Sequence, residues 1–131
     1  MKQISQSERI IMDVLWSRAP LRATEIADEV AAEGWNIRTV KTLLSRLVKK
    51  DVVSTEADGR HYLYSPIINK EAYGAYIVDG VSKSYFEGDP APLLLHLAKS
   101  KDLSTGDIDE ITALLSDLKA AKTNSSKDGQ S

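Results

Sequence analysis

Trp35-Asn36-Ile37-Arg38-Thr39-Val40-Lys41-Thr42-Leu43-Leu44-Ser45-Arg46-Leu47-Val48-Lys49-Lys50 is the stretch on which the fold turns. Val40, Leu43, Leu44, Leu47 and Val48 recur at the spacing of one buried side of a helix. Arg38, Thr39, Lys41, Thr42, Ser45, Arg46 and Lys49 fall outside that stripe. Arg38 to Lys50 holds five basic residues and no acidic one, although the whole chain has a formal charge of −2. The positive charge is local, and a helix with a cationic, hydroxyl-bearing face suits a DNA groove.

The elements on either side of this helix extend the pattern. Ser5-Gln6-Ser7-Glu8 is a capping box, so a helix is expected from there to about Ser17, burying Ile10, Ile11, Val14 and Leu15. Ala19-Pro20 ends it, because proline disfavours a helical residue before it. A second helix is expected over Ala23 to Glu33, burying Ile26, Ala27 and Val30, with Gly34 as a left-handed cap. Asn36 then caps the basic helix. After it, Val52 to Glu56 and Arg60 to Ser65 alternate like strands, and Ala57-Asp58-Gly59 supplies turn chemistry, which predicts a β-hairpin. Helix, helix, basic helix, hairpin is the order of a winged helix-turn-helix.

Beyond Pro66 the periodicity is helical again. Asn69 caps a helix from Lys70 to about Tyr85 with Tyr73, Tyr76 and Ile77 on one side. Gly88-Asp89-Pro90 breaks the chain and opens a short helix through Leu93, Leu94, Leu95 and Leu97. Ser104 to Asp107 caps a last helix striped by Ile108, Ile111, Leu115 and Leu118. The expected fold class is mainly α with a small β-hairpin wing. It divides into a winged-helix DNA-binding domain over 1–66, a helical dimerisation region over 67–121 and a disordered tail over 122–131. Apolar faces outside an already complete domain need a partner, and a second copy of the chain is the commonest one. Tyr73, Tyr76, Ile77, Ile108, Ile111, Leu115 and Leu118 are the candidate dimerisation residues.

Composition narrows the function. At 131 residues there is room for one domain or for a small domain with an association segment. Residues 1–66 hold ten Lys/Arg and nine Asp/Glu, while residues 67–131 hold seven and ten, so nucleic-acid contact belongs to the first half. The absence of cysteine excludes a disulfide framework, a thiol nucleophile and thiolate metal ligation. His61 and His96 stand in different halves without acidic residues at ligand spacing, so no metal and no cofactor is expected. No Gly-rich phosphate loop, nucleophile elbow or supported carboxylate pair suggests an enzyme. The opening residues lack a signal peptide and no apolar run is long enough to span a bilayer, which predicts a cytoplasmic protein without stable membrane insertion.

The residues resemble the penicillinase repressor family of bacterial winged-helix regulators, which includes the β-lactam-resistance repressors and a copper-responsive branch. The similarity covers residues 4 to about 120. Arg38 to Lys50 matches the family's recognition helix almost position by position. Ser7-Glu8 with Val14-Leu15-Trp16 matches its opening helix, and Leu103-Ser104 followed by Asp109-Glu110-Ile111 its terminal dimer helix. The resemblance implies a homodimeric repressor on a dyad operator of double-stranded DNA, with a membrane sensor or protease as a further partner. It departs at two points. Where β-lactam-resistance members are cut at an Asn-Phe bond, alignment on the following Asp-Leu-Ser places His96-Leu97, which makes these two the candidate cleavage region. The Cys-x-Cys motifs of the copper branch are missing, so thiolate copper sensing is excluded.

Within the basic helix, Arg38, Lys41 and Arg46 have donors suited to guanine edges or phosphates, and Thr39, Thr42 and Ser45 suit phosphate or a thymine methyl. Lys49 and Lys50 fit either DNA contact or the helix dipole. Arg60, beside the Asp58-Gly59 turn, is placed for a wing-to-phosphate contact or is a plain exposed strand residue. Trp16 and Trp35 read as packing aromatics. Tyr73, Tyr76 and Tyr85 read as dimer core or as a ligand cage. A winged-helix protein-interaction module without specific DNA binding is the alternative function, distinguished by salt dependence and duplex competition.

Overall fold

The computed structural model describes residues 3–129, with side chains described to residue 124. Its elements run α1 (Gln6–Arg18), β1 (Leu21–Arg22), α2 (Ala23–Glu29), a short 3₁₀ turn (Ala31–Glu33), α3 (Ile37–Lys49), β2 (Val53–Asp58), β3 (His61–Pro66), α4 (Lys70–Tyr85), α5 (Pro90–Ala98) and α6 (Thr105–Gly129). The chain divides into two compact units, Met1–Val81 and Ser82–Ser131.

In the first unit three helices pack on a small antiparallel sheet of order β1-β3-β2, a winged helix-turn-helix. The core joins Ile11, Met12 and Leu15 of α1 to Ile26 of α2, Val40, Leu43, Leu44 and Leu47 of α3, and Val52 and Val53 leading into the hairpin. The apolar stripe of the third helix is buried as its spacing predicts. In α1 the register differs by about one position. The buried residues are Glu8, Ile11, Met12 and Leu15, while Ile10 and Val14 are half-buried. A buried carboxylate at Glu8 hides the true stripe from a reading of apolar residues alone.

The caps follow local chemistry. Ser5 Oγ accepts from the Glu8 amide at 3.2 Å, and Asn36 Oδ1 accepts from the Thr39 amide at 2.9 Å. Asn69 Oδ1 accepts from the Ala72 amide at 2.8 Å, Asp89 Oδ1 from Ala91, and Ser104 Oγ from Asp107. Each satisfies an amide that a helix start leaves without an intrahelical acceptor. The second helix is shorter than expected. It gives way at Val30 to the 3₁₀ turn, and Gly34 closes that turn at φ 73°, a left-handed conformation glycine adopts without penalty.

The hairpin turn begins two residues later than expected and ends one later. Asp58 pairs with His61, so Gly59, at φ 63°, and Arg60 form the loop. Arg60 therefore stands at the tip of the wing and not at the start of its second strand. The two-residue strand β1, too short for any alternation, was not legible in sequence. It pairs Leu21 with Tyr64 and Arg22 with Leu63.

Residues 67–81, expected with the dimerisation region, belong to the first unit. Trp16 Nε1 donates to the Ile68 carbonyl at 2.9 Å, the Tyr73 hydroxyl accepts from the Ile4 amide at 2.9 Å, and the Trp16 and Tyr73 rings lie 5.9 Å apart. The second unit holds α5 and α6. Of the tail expected to be disordered over 122–131, residues as far as Gly129 continue α6, carried on from the strong helix formers Leu118-Lys119-Ala120-Ala121-Lys122. The rest of that tail, and its side chains from 125 onward, lie outside the described residues.

Candidate nucleic-acid interface

The solvent side of α3 presents Arg38, Lys41, Thr42, Ser45, Arg46 and Lys49, all exposed, along a shallow depression that Ile37 helps to line. The opposite side of the helix is anchored by Val40, Leu44 and Leu47, each fully buried. That anchoring fixes the rotation of the helix about its axis, so the cationic row cannot turn inward. The residues grouped by sequence periodicity are brought together with one qualification, at Thr39.

Thr39 is half-buried, and its hydroxyl donates to Asn36 Oδ1 at 3.2 Å beside the capping bond from its amide. Its side chain serves the helix start. Thr42 Oγ1 donates to the Arg38 carbonyl one turn back at 3.0 Å, which leaves the oxygen able to accept. The Ser45 hydroxyl makes no hydrogen bond among the described residues.

Ion pairing separates the cations into two sets. Arg9 pairs with Asp13, Arg18 with Glu29, Arg22 with Asp58 and Lys50 with Glu8. The side chains of Arg38, Lys41, Arg46, Lys49 and Arg60 make no ion pair or hydrogen bond among the described residues. Cations left exposed and unneutralised keep their full attraction for a polyanion.

Lys50 resolves one of the two-way readings. Its Nζ donates to Glu8 Oε1 at 2.8 Å and to the Gln3 carbonyl at 3.2 Å, which ties the end of α3 to the start of α1. Burial of Glu8 pushes its carboxyl pKa up, but the hydrogen bonds from Lys50 and Ser5 and the charge of Lys50 outweigh it and hold the group below its ordinary range. Lys50 is a structural cation. Trp16, half-buried, packs as expected and carries the Arg9 guanidinium 5.5 Å from its ring centre.

The candidate dimerisation residues separate. Tyr73 is only 5 % exposed and is held within the first unit, which removes it from any surface offered to a second chain. Its ring stacks 6.0 Å from that of Tyr76, which is partly exposed, and Ile77 is half-buried. Tyr73 is committed to Trp16 and Ile4 and is not available to line an open cage. Ile108, Ile111, Leu115 and Leu118 are all exposed on α6, 42–51 % of each residue's surface being accessible. His96 and Leu97 lie exposed in the last turn of α5. Among the described residues there is no group of His, Asp and Glu able to hold a metal ion, and no helix long and apolar enough to cross a membrane.

A family model described as Penicillinase repressor matches residues 4–117. Penicillinase repressor of Bacillus licheniformis is 26% identical over 121 residues, 92% of this chain and 94% of that protein. Methicillin resistance regulatory protein MecI of Staphylococcus aureus (strain N315) is 24% identical over 114 residues, 86% of this chain and 93% of that protein. The solution structure of the DNA-binding domain of the repressor BlaI overlaps 54% of this chain and 88% of its own, at 32% identity and a TM-score of 0.49.

Proposed function

Because the chain belongs to the penicillinase repressor family, we propose that it acts as a homodimer on a dyad operator, with α3 of each copy in the major groove. Family membership makes it a DNA-binding transcriptional repressor and not an enzyme. The observation that carries the finer reading is the exposed row Arg38, Lys41, Arg46 and Lys49, free of ion pairs and facing away from the buried stripe. Side chains along the outer face of such a helix reach base edges, and one at its last residue reaches phosphates. Arg38, Lys41, Thr42, Ser45 and Arg46 are the base-reading set, while Lys49 and, from the wing tip, Arg60 hold the backbone.

Dimerisation assigns a use to the exposed stripe of α6. Pairing Ile108, Ile111, Leu115 and Leu118 with the same residues of a second copy removes apolar surface from water and links two reading helices. Two linked half-sites bind far more tightly than one. A cut in α5 would separate α6 from the reading unit and dissolve that linkage, so a protease acting downstream of a membrane sensor fits as the derepressing partner. The nine-residue helix must open locally to admit it.

Gel-shift titration of Lys41→Ala and Arg46→Ala against a duplex selected from a random library by the full-length protein tests the reading helix. Each variant is expected to fold normally and lose about 1 to 3 kcal/mol of specific affinity. Unchanged binding by both removes α3 as the reader, and a purely nonspecific salt response favours the protein-interaction module.

A further inference from the structure

One ion pair, Arg22 with Asp58, crosses the whole sheet. Arg22 lies on the edge strand β1 opposite Leu63 of the central strand β3, and Leu63 lies opposite Glu56 of the other edge strand, β2. Strand alternation puts Asp58 on the same face as Glu56, one step nearer the tip. Arg22 bypasses the nearer carboxylate: its Nε and Nη2 both donate to Asp58 Oδ2, at 3.2 and 2.8 Å. The Arg22 backbone is itself held, its amide donating to Glu25 Oε1 at 2.9 Å at the start of α2.

This brace reaches where the sheet has no third strand. β1 covers only Leu63 and Tyr64, so from Ala57 to Tyr62 the wing is a bare two-stranded arm. Such an arm is only marginally ordered by its own ladder. Asp58 is the last β2 residue before the Gly59-Arg60 loop, and it is the point at which that arm is tied back to the helical body. Arg60, exposed and without a partner among the described residues, rides directly on it.

We propose that Arg22 and Asp58 are positioning residues for DNA binding, an ion-pair brace that fixes the wing tip so that Arg60 meets the DNA backbone. The proposal rests on the reading of α3 and the wing as a DNA interface. Its electrostatic signature is contrary to simple charge counting. Removing a carboxylate beside a polyanion raises affinity if the carboxylate does nothing else, whereas loss of this brace lowers it because the Arg60 contact is no longer held in place.

The test is a double-mutant cycle with the full-length protein and the library-selected duplex, titrated over a range of salt. Arg60→Ala is expected to weaken binding roughly threefold to tenfold and to reduce the slope of log affinity against log salt by about one. Asp58→Asn is expected to weaken binding in the same direction, and adding Arg60→Ala to it is expected to cost little more. Arg22→Lys keeps the charge pair and is expected to retain most of the Arg60 effect. Amide exchange without DNA gives an independent readout: Asp58→Asn should speed exchange at Ala57 to Tyr62 and leave α3 protected. If Arg60→Ala has no effect in the native background, the wing contact itself fails. If Arg60→Ala matters and Asp58→Asn leaves or raises affinity, or leaves wing exchange unchanged, the brace is overturned.

Discussion

The helices α3 and α6 both carry a leucine- and isoleucine- or valine-rich stripe at helical spacing, yet the structure treats them oppositely. Val40, Leu43, Leu44 and Leu47 are at most 6 % exposed, whereas Ile108, Ile111, Leu115 and Leu118 are at least 42 % exposed. The stripe of α3 meets α1, α2 and the root of the hairpin within its own chain. That of α6 has no such cover. The same one-dimensional pattern therefore has two outcomes: in α3 it aims a polar face outward, and in α6 it leaves an apolar face exposed, the face that the proposed dimer would cover.

The largest effect that sharpens this contrast is expected at Leu44. Leu44→Ala leaves a cavity in a fully buried site, and a loss of about 2 to 5 kcal/mol is expected from denaturant melts, independent of protein concentration. Next comes the α6 pair Ile111→Asp with Leu115→Asp. The first unit should keep its melting transition, while sedimentation equilibrium shows a monomer at micromolar concentration and operator affinity falls about 100-fold. A variant that still sediments as a dimer would remove α6 as the association face.

A smaller effect belongs to the tie between α1 and α3. Lys50→Met strands the Glu8 carboxylate, whose side chain is 3 % exposed, and should cost about 2 kcal/mol in urea melts, less than a fully enclosed pair because the Lys50 side chain remains 23 % exposed. Its DNA affinity, measured at a temperature where the variant is folded, should show the native salt slope. A reduced slope would return Lys50 to the interface.

The smallest effect is on pH dependence. Glu8 titrates below its ordinary value of 4.5 in the folded chain, so its contribution is present above that value and is lost as pH falls through the folded pKa. Melts of the native protein and Glu8→Gln should converge as the solution is acidified below pH 4.5. Parallel curves through that range would mean that Glu8 is not held ionised by Lys50.

Much of the binding unit was legible from local pattern. The four core positions of α3 and the half-buried Val48 beside them, its Asn36 cap and the cationic face all follow from spacing within one helix, and the hairpin from alternation around a glycine turn. Local pattern carries no sign of a contact where a distant group intervenes. Glu8 looked like a capping residue alone because its partner, Lys50, is 42 residues away. Tyr73 looked like part of an association stripe because nothing local announces Trp16 or Ile4 as its neighbours. The Arg22–Asp58 brace spans 36 residues and three strands, and β1 is too short to predict.

The sequence by itself determined which helix is cationic, which stripes are apolar, where the caps and the wing lie, and that no thiol chemistry is available. These are properties of residues within a few positions of one another, where helical and strand periods dictate direction. Tertiary structure decided which charges are paired with carboxylates and which remain exposed and unpaired, whether α4 begins in the first unit, and which apolar stripe stays uncovered. Those outcomes depend on side chains brought together by folding, because an ion pair or a buried contact is set by distance in space and leaves no periodic trace along the chain.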